Sequence, residues 1–192
     1  MSPHDQEGRI TRRDFFGAAA LVALSPSLAS LERLHGVRRV AVGDVVIVEF
    51  DDAGGRLRAV TVPKVVKSER EWRSQLSPLA FEITRRAGTE RPFSGAYWNL
   101  HEKGLFRCVC CDTALFSTTA KFDSGTGWPS FWQPIAKENV LAPFKVSPGA
   151  DATEVTCRRC EAHLGDLFDD GPRPTGLRYC IDSVSLRFVK SL

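Results

Sequence analysis

Cys108-Val109-Cys110-Cys111 and Cys157-Arg158-Arg159-Cys160 are the two stretches whose reading decides the fold. Each places two thiols at CxxC spacing, so that one tight turn can aim both sulfurs at the same ion. Two such turns, brought together by a sheet, make a closed four-thiolate cage for zinc, with Cys108, Cys111, Cys157 and Cys160 as ligands. Four protein ligands leave no open position for a substrate, so the expected role is structural. Two disulfides, or one redox CxxC, are the competing readings. The redox reading wants a thioredoxin-like βαβ setting that the sequence lacks. Cys110 sits inside the first turn, where adjacent residues do not both face inward, and reads as a packing residue.

Around these turns the texture is that of β structure. From Phe93 onward, glycine, proline and aromatic residues punctuate short runs, among them Gly104–Arg107, Glu154–Thr156 and Val184–Val189. The last alternates Val184, Leu186 and Phe188 with polar partners, as a half-buried strand does. Upstream, Val45–Phe50 and Leu57–Val62 flank Asp51-Asp52-Ala53-Gly54-Gly55, a hairpin signal. Ser68-Glu69-Arg70-Glu71 is a capping box before a short helix ending near Leu76. Ser77-Pro78 starts a second helix, with Leu79 and Ile83 expected on one buried face and Gly88 as its stop.

The chain has 192 residues, 43% of them hydrophobic, and a formal charge of +3. That is enough for one domain with a real core, and too little charge to argue for nucleic acid. No apolar run approaches the ~18 residues of a membrane span, so no stable membrane anchor is expected. Thr11-Arg12-Arg13-Asp14-Phe15-Phe16, the apolar stretch Phe15–Leu24 and Ser27-Leu28-Ala29 have the order of a twin-arginine signal. This implies a bacterial protein exported already folded, to the periplasm or beyond. Folding first would let metal capture the thiols before an oxidising compartment could. The division expected is a Tat-type signal over 1–30, an extension with hairpin and short helix over 31–76, and the main domain over 77–192.

The sixth cysteine stands apart, in Gly176-Leu177-Arg178-Tyr179-Cys180-Ile181-Asp182-Ser183. If Arg178–Asp182 is extended, Arg178, Cys180 and Asp182 share one face, and Tyr179 and Ile181 the other. A guanidinium beside Cys180 favours the nucleophilic thiolate. A buried inert cysteine is the plain alternative, but the polar, rigid loop Gly171–Gly176 leading into it is unlike ordinary core.

Taken together, GTERPFSGAYW from Gly88, the two CxxC pairs, KFDSGTGWPSF from Lys121, HLGDLFDDGPRPTGLRYCIDS from His163 and the terminal VSLRF resemble the type-B methionine sulfoxide reductases. The resemblance runs from about Ser77 to Val189. It implies a mainly β fold of two antiparallel sheets, a β-tent, with short helices before it and a structural zinc away from the active site. It implies an oxidoreductase that repairs oxidative damage by reducing methionine (R)-sulfoxide in proteins. Cys180 would be the nucleophile and would pass through a sulfenic acid. By the same pattern Trp128 walls the substrate methyl group, and His163, Asp170 and Arg178 line or support the polar pocket. The alternative is a zinc-stabilised binding module of this fold.

Three positions depart from the pattern. Asp166 stands where the family often has a histidine thought to donate a proton. Asp182 replaces an asparagine, and Thr126 replaces a recycling cysteine. A carboxylic acid kept neutral by burial can donate a proton, so Asp166 is the expected substitute, with Asp182 beside the substrate. Without a cysteine at 126, an external thiol reductant of thioredoxin type is the expected partner.

Overall fold

The computed structural model describes residues 43–142 and 152–191. The signal segment and most of the extension before the hairpin lie outside the described residues. Among those described, no helix is long and apolar enough to cross a membrane.

The hairpin forms where its turn chemistry places it. β1 (Asp44–Phe50) and β2 (Arg56–Pro63) pair antiparallel. Asp51 closes the turn by accepting the Gly55 N–H on its side chain at 2.7 Å, and Gly54 takes a φ of 90°. α1 (Glu69–Gln75) begins on the expected capping box, with Ser68 and Glu71 bonding reciprocally. α2 (Pro78–Arg86) begins on Ser77, with proline in its first turn.

Two details of α2 differ from expectation. Leu79 is 54% exposed, and the buried face is Ala80, Phe81, Ile83 and Thr84. The apolar stripe passes through Ala80, so Leu79 falls on its solvent edge. The helix also stops one residue early. Ala87 takes the left-handed conformation (φ 51°), and Gly88 follows, its N–H returning to the Glu82 carbonyl at 3.2 Å.

The rest is antiparallel sheet. β3 (Gly104–Cys108), β4 (Ala114–Ser117) and β11 (Leu186–Lys190) form a three-stranded sheet in the order β11-β3-β4. Val184 is not part of β11; it lies in the 3-10 turn Ser183–Ser185. β5 (Lys121–Phe122), β6 (Ser130–Phe131), β7 (Val140–Leu141), β8 (Thr153–Cys157), β9 (His163–Phe168) and β10 (Arg178–Ile181) form a six-stranded sheet in the order β5-β6-β10-β9-β8-β7. The two sheets expected are these, and the hairpin adds a small third.

Aromatic residues join the two main sheets. Phe116 of β4 stacks on Phe131 of β6 with centroids 4.5 Å apart, and Phe106 of β3 meets the same ring edge-on at 5.1 Å. Tyr179 of β10 packs beside Phe116. Phe106, Phe116 and Phe131 are fully buried, each contributing on the order of 2–3 kcal/mol.

The hairpin is fastened separately. Val48 and Phe50 pack on Leu105, Ala114 and Ala136. The fully buried Asn139 accepts from Val48 N at 2.7 Å and donates to the carbonyls of Val48 and Ala114. Asn139→Ala leaves three backbone groups without partners, which is expected to cost about 3 kcal/mol. Thermal unfolding measures it. A loss below about 1 kcal/mol would mean that apolar contact alone holds the hairpin.

Candidate active site and metal centre

Each CxxC segment ends a strand and turns back on itself. Cys108 closes β3 and Cys157 closes β8. In both, the partner cysteine lies in the turn that follows, and the backbone returns by the same bond: Asp112 N to Cys108 O, and Glu161 N to Cys157 O, both at 2.9 Å. Asp112 (φ 62°) and Glu161 (φ 55°) finish the two turns in the left-handed region. The four sulfurs of Cys108, Cys111, Cys157 and Cys160 converge within 4.8 Å of one another and could hold a metal ion. Sγ of Cys108 is 3.6 Å from that of Cys160, and Sγ of Cys111 is 3.5 Å from that of Cys157. Arg85 of α2 reaches the cluster, donating to the Cys160 carbonyl at 2.9 Å with its second nitrogen 3.6 Å from the Cys160 sulfur. Cys110 is buried and is not one of the four convergent sulfurs, although its thiol interacts with Cys108 and Cys160 at the cluster's edge, and its carbonyl accepts from Gln75 of α1.

The separate thiol lies in the middle of the six-stranded sheet. β10 runs between β6 and β9, with Cys180 opposite Ser130 on one side and Asp166 on the other. Tyr179 and Ile181 point into the core, which leaves Arg178, Cys180 and Asp182 on the other face. A pocket of about 110 Å³ opens over Cys180, lined by Thr89, Trp128, Gly165, Asp166, Phe168 and Asp182. It shares no residue with the thiol cluster. Gly165 is required there by backbone approach: a Cβ on it would lie 2.1 Å from the Cys180 carbonyl oxygen.

Of the residues singled out from sequence, Trp128, Asp166, Cys180 and Asp182 meet in this pocket. Arg178, Asp170 and His163 are not among its lining residues. Arg178 is held by two bonds of 2.8 Å to Asp170, and its guanidinium lies 4.1 Å over the Phe168 ring. His163, largely buried at the start of β9, pairs through Nδ1 with Glu154 at 2.8 Å. Burial pushes the Cys180 thiol up from its ordinary value, and the Arg178 charge pulls it back. Thr126 places Oγ1 4.0 Å from the Cys180 sulfur.

Sequence reasoning missed Thr89 and Phe168 as lining residues, and missed Glu90 altogether. Glu90 is 5% exposed, and its carboxylate accepts from Ser183 N at 2.6 Å and Val184 N at 3.1 Å. Its own N–H donates to Asp182 Oδ1 at 2.9 Å, and its carbonyl accepts from Trp128 Nε1 at 3.2 Å. One residue thus fixes both the pocket's aromatic wall and its buried acid. The signal was present in the Gly88-Thr89-Glu90 string, but its partners lie far along the chain.

The fold and these two centres define a thiol-bearing β domain braced by a four-cysteine cluster. A model of the SelR domain matches residues 76–190, more than half of the chain, and the chain belongs to that family. It is similar to the "Peptide methionine sulfoxide reductase MsrB" of Herminiimonas arsenicoxydans, 54% identical over 125 residues, covering 65% of this chain and 91% of the relative. The protein of the same name from Hahella chejuensis is 52% identical over 125 residues, 65% of this chain and 90% of the relative. That of Agrobacterium fabrum is 50% identical over 129 residues, 67% of this chain and 96% of the relative.

Proposed function

We propose that this protein is a peptide-methionine (R)-S-oxide reductase that repairs oxidised methionine in proteins. The observation that carries the reading is Cys180, set in a small pocket between an aromatic wall and two acids. The family membership and the names of the relatives support it, and a binding module would have no use for such a thiol. Thiolate attack on the substrate sulfur, protonation of the sulfoxide oxygen and loss of methionine leave Cys180 as a sulfenic acid. Trp128 offers the apolar face for the methyl group, and Arg178, held by Asp170, favours the thiolate. Because wall and acids lie on fixed sides of the sulfur, the R epimer should be reduced with dithiothreitol and the S epimer hardly at all. Equal turnover of both epimers, or of neither, would overturn the assignment.

Zinc is the ion proposed for the four-cysteine cluster. Thiolates ~2.3 Å from a tetrahedral zinc stand about 3.8 Å apart, close to the sulfur separations here. Zinc there would brace the fold and supply no step of the reaction. Export of the folded, metal-loaded protein through the twin-arginine route is part of the same proposal. It rests on Arg12, Arg13 and the apolar stretch after them. Lysine at both positions should leave the precursor in the cytosol.

Recycling is assigned to an external thiol of thioredoxin type, since Thr126 has no sulfur. Thr126→Cys should convert the site. With Oγ1 at 4.0 Å from Cys180 Sγ, a thiol there is close enough for a disulfide after modest side-chain movement. Peptide mapping after one turnover without reductant should find the introduced thiol of Thr126→Cys joined to Cys180. In the wild type the same experiment should find a Cys180 sulfenic acid trapped by dimedone. A native Cys110–Cys180 disulfide would instead make Cys110 the resolving thiol.

A further inference from the structure

The reaction needs a proton at the sulfoxide oxygen, and two acids line the pocket. Asp166 is the one that sequence comparison offers, since it replaces the family's histidine. The structure treats the two carboxyls differently. Asp166 is half-buried on β9, whereas Asp182 is 2% exposed at the end of β10. Asp182 Oδ1 is tied to the Glu90 N–H at 2.9 Å, and its own N–H is tied to the Leu164 carbonyl at 2.9 Å. The first contact holds the carboxyl and the second holds the backbone that carries it, in the pocket lining two residues from Cys180. Among the described residues no donor meets its other oxygen.

We infer that Asp182, rather than Asp166, is the proton shuttle of the reaction, taking the thiol proton of Cys180 and delivering it to the sulfoxide oxygen. This inference rests on the reductase reading. The step balances without an outside acid. The Cys180 S–H proton passes to the Asp182 carboxylate, and the thiolate attacks the substrate sulfur. Asp182 returns the proton to the sulfoxide oxygen. The substrate S–O bond breaks, the released hydroxide attacks the Cys180 sulfur, and the S–S bond made by the thiolate breaks, so that methionine leaves with its sulfur reduced by two electrons and Cys180 is left as a sulfenic acid. Cys180 is oxidised by the same two.

The surroundings suit a group that must hold and release a proton near neutrality. Burial is the main cause that pushes the Asp182 carboxyl up to about 7; the nearby charges of Glu90 and Asp166 add to it, and the Glu90 N–H and His163 oppose it. The charged groups that act on it come from two packed elements, Glu90 from the segment after α2 and His163 and Asp166 from β9, and Asp182 acts in turn on Cys180 of β10. Asp182 in turn raises the Cys180 thiol by its negative charge, so the two groups titrate as a coupled pair.

Asp182→Asn tests the assignment with little structural cost, because the amide oxygen can still accept from Glu90. The expected result is a fall in kcat of about a hundredfold or more, the usual size of a general-acid contribution. The wild-type kcat should drop below about pH 7, where the pair becomes doubly protonated, and the variant should lack that limb. Asp166→Asn should lose less and keep the limb. A second measurement needs no turnover. A carboxyl raised on folding makes stability fall as pH rises from its ordinary range to about 7, where the folded state holds a proton that the unfolded state has lost. Denaturant unfolding should show that fall in the wild type and its absence in Asp182→Asn. Asp182→Asn within threefold of wild-type kcat, or loss of the acid limb in Asp166→Asn instead, would overturn the shuttle and leave the reductase reading intact. Wild-type protein that reduces neither epimer would sink the reading itself.

Discussion

Cys180→Ser should lose essentially all reduction of the R epimer, a fall of about a thousandfold or more, because serine offers no anion at neutral pH that attacks sulfur. The same variant should unfold at nearly the wild-type temperature and keep its metal. Cys180 is half-buried on the pocket side of β10, and an oxygen in place of sulfur leaves the ladder to Ser130 and Asp166 unchanged. The experiment measures turnover, metal content and thermal unfolding side by side. Reactivity should also follow the environment. Burial raises the thiol, and Arg178 only partly offsets this, so alkylation of free Cys180 should accelerate as pH rises above neutrality. Appreciable residual turnover in Cys180→Ser would move the nucleophile to another thiol. Cys110, the other cysteine that is not one of the four convergent ligands, would then be the first to examine.

What can be read in the sequence is what is written locally. The capping box at Ser68, the hairpin turn at Asp51–Gly55 and the two CxxC turns each depend on residues a few positions apart. Each appears in the structure where local chemistry puts it. The alternation that puts Arg178, Cys180 and Asp182 on one face is equally local. Leu79 and Ala87 escape such a reading. A nine-residue helix gives too little period to tell a stripe's centre from its edge, and tertiary contact can hold alanine in the left-handed region. Glu90 is illegible for a different reason. Its bonds to Ser183 and Val184 span 93 and 94 residues, and a buried carboxylate that clamps a distant turn has no sequence signature of its own. The ranking of Asp166 and Asp182 is likewise inaccessible, since it depends on burial rather than on residue type.

Cys108→Ser should have the largest effect on stability, because the cage ties the end of one main sheet to the end of the other. Cys108 ends β3 in the three-stranded sheet, where it faces Leu186 of β11. Cys157 ends β8 in the six-stranded sheet, where it faces Val140 of β7. A metal ion held by both turns therefore pins the two sheets together at that end, while the stack of Phe106, Phe116 and Phe131 holds them elsewhere. Structural zinc contributes on the order of 10 kcal/mol of binding free energy, most of which exists only in the folded state. Losing one thiolate also leaves Arg85, whose guanidinium reaches Cys160, beside a weakened anionic cluster. The expected product is zinc-poor protein that unfolds well below the wild type and cannot be restored by added zinc. Strong chelator at elevated temperature should drive the wild type to the same state, and readdition of zinc under reducing conditions should reverse it. Metal analysis and unfolding curves check both. Wild-type protein that holds no metal and yields Cys108–Cys160 and Cys111–Cys157 disulfides by mass spectrometry would replace the cage with two covalent staples. The sulfur spacings of 3.6 and 3.5 Å argue against that outcome, because a disulfide brings its sulfurs to ~2.05 Å and two such bonds would have to pull the four-fold cluster into separate pairs.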